Sequence, residues 1–118
     1  MFKKATVVLF LITFASFVSA NPTCTGYVSS VSLTSTGGVI ATVKGSEVNL
    51  ADVVLCSSSA TTGAFAGHVC DSVYSMLLSA VAMSEDVTLW FYQEKFSSCS
   101  LNWANLGDYG FYHFRLNK

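Results

Sequence analysis

Charge is scarce in this chain of 118 residues: Asp, Glu, Lys and Arg make up 11% of it, and no run of either sign occurs. Lys44, Lys95, Arg115 and Lys118 are scattered. There is no basic stripe of the kind that a nucleic-acid partner or an anionic membrane surface calls for. Neither a Gly-x-Ser-x-Gly elbow nor a His-Glu-x-x-His pair is present, so two common hydrolase signatures are missing. Asp52, Asp71, Asp86 and Asp108 are dispersed, and no glycosidase-like pair of carboxylates stands out. No Asn-x-Ser/Thr sequon exists, because Pro22 follows Asn21 and the other asparagines lack a hydroxyl residue two positions on. Internal repeats and low-complexity tracts are also lacking. After residue 20 there is no second long apolar run, so no membrane span is expected.

What is present begins with MFKKATVVLFLITFASFVSA. Lys3 and Lys4 head an apolar stretch from Ala5 to Val18, and Val18-Ser19-Ala20 fits a signal-peptidase site. Residues 1–20 are therefore expected to be a cleaved secretory signal, since the apolar core is too short for a transmembrane helix. Residues 21–118 remain as a single domain, secreted or periplasmic. Its four basic against seven acidic side chains give a net charge of −3 with histidine neutral.

The four cysteines, Cys24, Cys56, Cys70 and Cys99, all fall after the cleavage site. An even count in an exported chain reads as two disulfides, which a domain with so limited a core benefits from. His68, Cys70, Cys56 and Cys99 could in principle supply a zinc set. Zinc sites, however, want close cysteine pairs, and the spacings here are 32, 14 and 29. No metal and no cofactor are expected.

The elements follow from periodicity. Thr25–Leu33 alternates Tyr27, Val31 and Leu33 with Ser and Thr, a strand with one wet face. Thr36-Gly37-Gly38 turns the chain into a second strand, Val39–Val43. Lys44-Gly45-Ser46 turns again into a third, Val48–Cys56, bent near Asp52. Ser57–Gly67 is small, polar and loop-like. From Asp71 to Met83, Val73, Met76, Leu77, Ala80 and Val81 recur at three and four, an amphipathic helix capped by Asp71 or Ser72 and ended at Ser84-Glu85-Asp86. Val87–Tyr92 and Phe111–Leu116 are the last two strands, separated by an excursion from Gln93 to Gly107. In the final strand Tyr112, Phe114 and Leu116 are expected on one face, with Phe111, His113 and Arg115 on the other. The order β-β-β-α-β-β, with one amphipathic helix between strands three and four, predicts a mainly β fold: a small five-stranded OB-like barrel stapled by disulfides.

The strand pair around Gly26–Val43, Cys56 closing a third strand, the helix ending Leu77-Leu78-Ser79-Ala80, Val87-Thr88-Leu89 and then Cys99 resemble small exported bacterial OB-fold proteins. The B subunits of subtilase cytotoxin and of the pertussis-like toxins are the nearest characterised comparison. The resemblance spans about three quarters of residues 21–118 and rests on element order and two cysteines. It implies glycan binding and assembly into a ring of five, hence a homo-oligomer, but transfers no sugar-contacting residue. In the barrel order the ends of strands three and four can lie close, so the expected pairing is Cys56–Cys99 with Cys24–Cys70.

The candidate site comes from the aromatics. Trp90, Tyr112 and Phe114 are read as core. Trp103 lies in a polar loop between Asn102 and Asn105, where its ring could pack on sugar C–H groups while the amides bond hydroxyls. The competing reading makes Trp103 a lid on the barrel. His68 and His113 are read as ordinary surface residues. The function expected is an exported, non-enzymatic binding module with a glycan or protein ligand. The alternative is a periplasmic structural or enzyme-inhibitor protein acting through the Ser57–Gly67 loop.

Overall fold

The computed structural model describes residues 21–118. The expected leader, residues 1–20, lies outside the described residues. In chain order the elements are β1 (Thr23–Leu33), β2 (Gly38–Lys44), β3 (Asn49–Ser57), α1 (Gly67–Met83), β4 (Asp86–Phe91), β5 (Ser100–Asn102), a 3-10 turn (Leu106–Tyr109) and β6 (Phe111–Leu116). They form a mainly β fold, with one α-helix among the described residues placed between the third and fourth strands as the periodicity predicts.

The strands make one six-stranded mixed sheet in the order β5-β3-β2-β1-β4-β6, which does not close. The expected five-stranded barrel is corrected on both counts. The additional strand lies in the Gln93–Gly107 excursion. Ser100-Leu101-Asn102 pairs in parallel with Asn49-Leu50-Ala51, and three residues are too few to show alternation. The other pairings between strands are antiparallel. Both tight turns occur where expected, and Gly37 takes φ 89° in the first. The bend at Asp52 is a bulge. Its φ is 48°, its N–H donates to Thr42 Oγ1 at 3.0 Å, and the β2–β3 register shifts there.

The core lies between the sheet and α1. β1 contributes Cys24 and Val28; β2 Val39, Ala41 and Val43; β3 Leu50, Val53, Leu55 and Cys56; β4 Val87, Leu89 and Phe91. Leu106 and Phe111 complete it from the C-terminal side. On β1 the expected inward face holds only for Val31, which packs against the core beyond a register shift between Val28 and Ser30. Cys24, Gly26 and Val28 point inward, while Tyr27 and Leu33 are exposed. Only glycine fits at position 26, because a Cβ there would stand 2.4 Å from the Lys44 carbonyl oxygen.

α1 begins at Gly67, one turn before the apolar period shows it, with Ala66 as an N-cap that offers no side-chain bond. Asp71 and Ser72 are thus inside the helix and do not cap it. The helix ends at Ser84, whose left-handed φ of 53° closes the last turn onto the carbonyls of Ala80 and Val81. Val73, Leu77 and Ala80 are buried, but Val81 is exposed.

The disulfides are Cys24–Cys99 and Cys56–Cys70, and no described cysteine is free. This corrects the expected pairing, and the topology gives the reason. β4 pairs with β1, not with β3. Parallel pairing of Asn49 with Ser100 brings Cys99 to the start of β3, whereas Cys56 lies near its end. At about 3.3 Å per residue those ends are about 23 Å apart. Cys56 is met instead by Cys70, carried over the end of β3 by the early helix start. Two disulfides are consistent with folding in an oxidising compartment. No described helix is long and apolar enough to cross a membrane.

Candidate functional site

Three surface features can be built from these elements. The first is the turn after β5. Trp103 is 70% exposed, so it is not a lid. Its φ of 56° is left-handed, a conformation costly for a bulky side chain. The turn is held because the Trp103 N–H donates to the Ala51 carbonyl of β3 at 3.0 Å, and the Val54 N–H to the Ala104 carbonyl at 2.8 Å. Asp52 and Ser84, the other described non-glycine residues with positive φ, serve a bulge and a helix end. Trp103 presents an indole to solvent. Asn102 is exposed beside it. Asn105 is not equally open, because its carboxamide oxygen accepts the Gly107 N–H at 3.0 Å and caps the 3-10 turn.

The second feature is the Ser57–Gly67 segment. It does not stand off the molecule. Phe65 is buried and stacks on Phe111 with ring centroids 4.7 Å apart. The Thr62 and Phe65 backbones exchange hydrogen bonds of 2.9 and 3.0 Å. At its start Ser58 N–H reaches the Gly37 carbonyl, and Ser59 Oγ donates to the Thr36 carbonyl at 2.7 Å. At its tip Gly63, with φ 57°, packs so closely on Gly107 that a Cβ would lie 2.8 Å from the Gly107 Cα. The two glycines border a cleft of about 280 Å³, lined also by Ala64, Tyr92, Lys95, Gly110 and Phe111.

The third feature, on the outer face of β4 and β6, is one that sequence reasoning missed. Trp90 is opposite His113 in register and Thr88 opposite Arg115. Trp90 is only half-buried, outside the core formed by its neighbours Leu89 and Phe91. His113 meets it edge-on with centroids 4.8 Å apart, and the Arg115 guanidinium lies 4.8 Å over its ring. Arg115 Nε donates to Asn117 Oδ1 at 2.9 Å, Asn117 Nδ2 donates to Thr88 Oγ1 at 2.8 Å, and Thr88 Oγ1 shares a 2.8 Å bond with Thr25 Oγ1. Toward the other end Tyr112 is 6.4 Å from His113 and stacks on Tyr92 at 4.2 Å. A bulge between Trp90 and Phe91 makes this possible. It turns Phe111 into the core, on the side of Phe114 and Leu116, and breaks the expected alternation. Tyr112 is half-buried in the aromatic row, not in the core, while Phe114 does pack against the core.

His68 is exposed on the first turn of α1. Among the described residues no group of three or more His, Cys, Asp or Glu side chains is gathered for a metal ion. No protein-family model, curated protein or solved structure matches the chain.

Proposed function

We propose that this chain is an exported, non-enzymatic binding module that captures a glycan. The observation that supports it is Trp103: a bulky ring held in a costly left-handed turn, tied by backbone bonds to β3, with its face given to water. Strain of this kind persists where the surroundings over-determine it and is concentrated at binding sites. An indole face offers a sugar its C–H contact area, and Asn102 offers an amide beside it. Copies assembled into a ring, as the toxin B-subunit resemblance implies, belong to the same reading and are tested by mass in solution. The inhibitor alternative needs a protruding Ser57–Gly67 loop, and the buried Phe65 anchor weighs against it.

The test is a glycan array with thermal melting on two variants. Trp103→Ala is expected to abolish capture while stability stays within about 0.5 kcal/mol of the parent, as for other exposed positions. Trp90→Ala removes the ring beneath Arg115 and beside His113 and is expected to lower the melting temperature more. Equal array binding by Trp103→Ala and the parent would remove Trp103 from the site.

A further inference from the structure

We propose that the outer face of β4 and β6 is a binding track for a linear acidic glycan, with carboxylates held at Arg115 and Lys95 and sugar rings laid along the aromatic row between them. This rests on the glycan reading for ligand class, but different residues carry it.

The Arg115 end is preorganised. Its Nε is bound by Asn117, its plane is supported by Trp90, and Asn117 is fixed in turn by the buried hydroxyl of Thr88. The guanidinium bonds Asn117 through Nε and its side chain is exposed, which leaves its terminal nitrogens for the bidentate fork that suits a carboxylate. The one carboxylate of β4, Asp86, lies beyond Thr88 on the same face, and Arg115 leans the opposite way onto Trp90. From Trp90 the row continues through His113 and Tyr112 to Tyr92, with no step between neighbouring centroids longer than 6.4 Å. Tyr92 and Lys95 both line the cleft, and Glu94 is exposed in the same turn. Two cations thus bracket a run of partly exposed rings on a chain of low charge. A cation at each end and rings between them complement an anion repeated along a chain of apolar-faced rings.

The pleated face offers its side chains to a linear ligand. Its backbone groups between β1, β4 and β6 are already paired, so a ligand laid across it meets side chains, while the outer edge of β6 is the edge of the sheet. The groups that the face presents are the exposed Thr23 hydroxyl and the Trp90, Tyr112 and Tyr92 rings.

Titration calorimetry on the exported chain would use oligogalacturonate, alginate and hyaluronan oligomers, methyl-esterified oligogalacturonate and hexaglutamate. At least one acidic oligosaccharide is expected to bind, and its neutral ester, or for the others its form with reduced carboxyls, to bind at least about tenfold more weakly. Arg115→Gln is expected to lose about tenfold or more, Arg115→Lys several-fold because the fork is gone, and Lys95→Gln a smaller factor, all with unchanged melting. The proposal is overturned if none of the three acidic oligomers binds, if the uncharged form binds equally, if Arg115→Gln is silent, or if hexaglutamate binds as well. Acid binding that survives Trp103→Ala would uphold the track and end the Trp103 reading. Neutral-glycan capture that needs Trp103 and ignores Arg115→Gln would do the reverse.

Discussion

Leu77 is wholly buried on α1, while Val81, one turn further along, stands in water. The apolar period gives both residues the same standing in sequence, and only the packing of α1 on β1 separates them. Leu77→Ala is therefore expected to cost about 2–5 kcal/mol, as buried leucine truncations do. Val81→Ala is expected to change stability by less than about 0.5 kcal/mol, as surface substitutions do. Reversible urea denaturation of both variants would check this, and equal losses would mean that the helix is rotated from the orientation described. The same gap between pattern and packing recurs on β1. Its alternation is legible, but which face is inward is decided by Cys24 and by Gly26, where the Lys44 carbonyl leaves no room for a Cβ. Trp90 is the clearest case: β-branched and aromatic neighbours make it look like core, yet its register partner is His113. Nothing local to Trp90 announces that partner, so the Arg115–Trp90–His113 cluster becomes visible only once β4 and β6 are paired.

At the scale of elements, five strands and the helix were legible within a few residues, because each carries a long enough period. β5 was not, being three residues of Ser, Leu and Asn recruited by an existing strand. The small polar residues of Ser57–Gly67 predict a loop, and a single phenylalanine, Phe65, carries no periodicity that would mark it as an anchor. Phe65 is what makes the segment part of the fold. It stacks on Phe111, which in turn lies 5.7 Å from Phe91. Phe65→Ala is expected to destabilise the domain by about 3–5 kcal/mol. It should also expose Ser58–Ala64 to proteolysis at protease concentrations that leave the parent intact. Limited proteolysis with mass mapping reads this directly. A cleavage pattern identical to the parent's would show that the hydrogen bonds to Thr36 and Gly37 hold the segment without its aromatic anchor.

For the whole molecule, the disulfide pairing records the topology. A closed barrel brings the ends of strands three and four together and favours Cys56–Cys99. The open sheet, with β5 parallel to β3 at one edge and β6 at the other, separates them. Cys24–Cys99 instead ties β1, at the middle of the sheet, to the approach to β5, over a sequence separation of 75. Cys56–Cys70 clips the start of α1 to the end of β3, over a separation of 14. In the chain-entropy model loops of these sizes are worth about 4.5 and about 3 kcal/mol respectively. Non-reducing peptide mapping is expected to recover these two pairs and no other. The double variant Cys24→Ala/Cys99→Ala is expected to lose more stability than Cys56→Ala/Cys70→Ala. It should also loosen the edge that carries Trp103, because the Cys99 carbonyl accepts the Asn49 N–H where β5 meets β3. The shorter clip lies at the opposite end of β3, so its removal should leave glycan capture through Trp103 intact while lowering the melting temperature. Loss of capture in both double variants to the same degree would show that the Trp103 turn answers to global stability and not to the edge pairing that holds it.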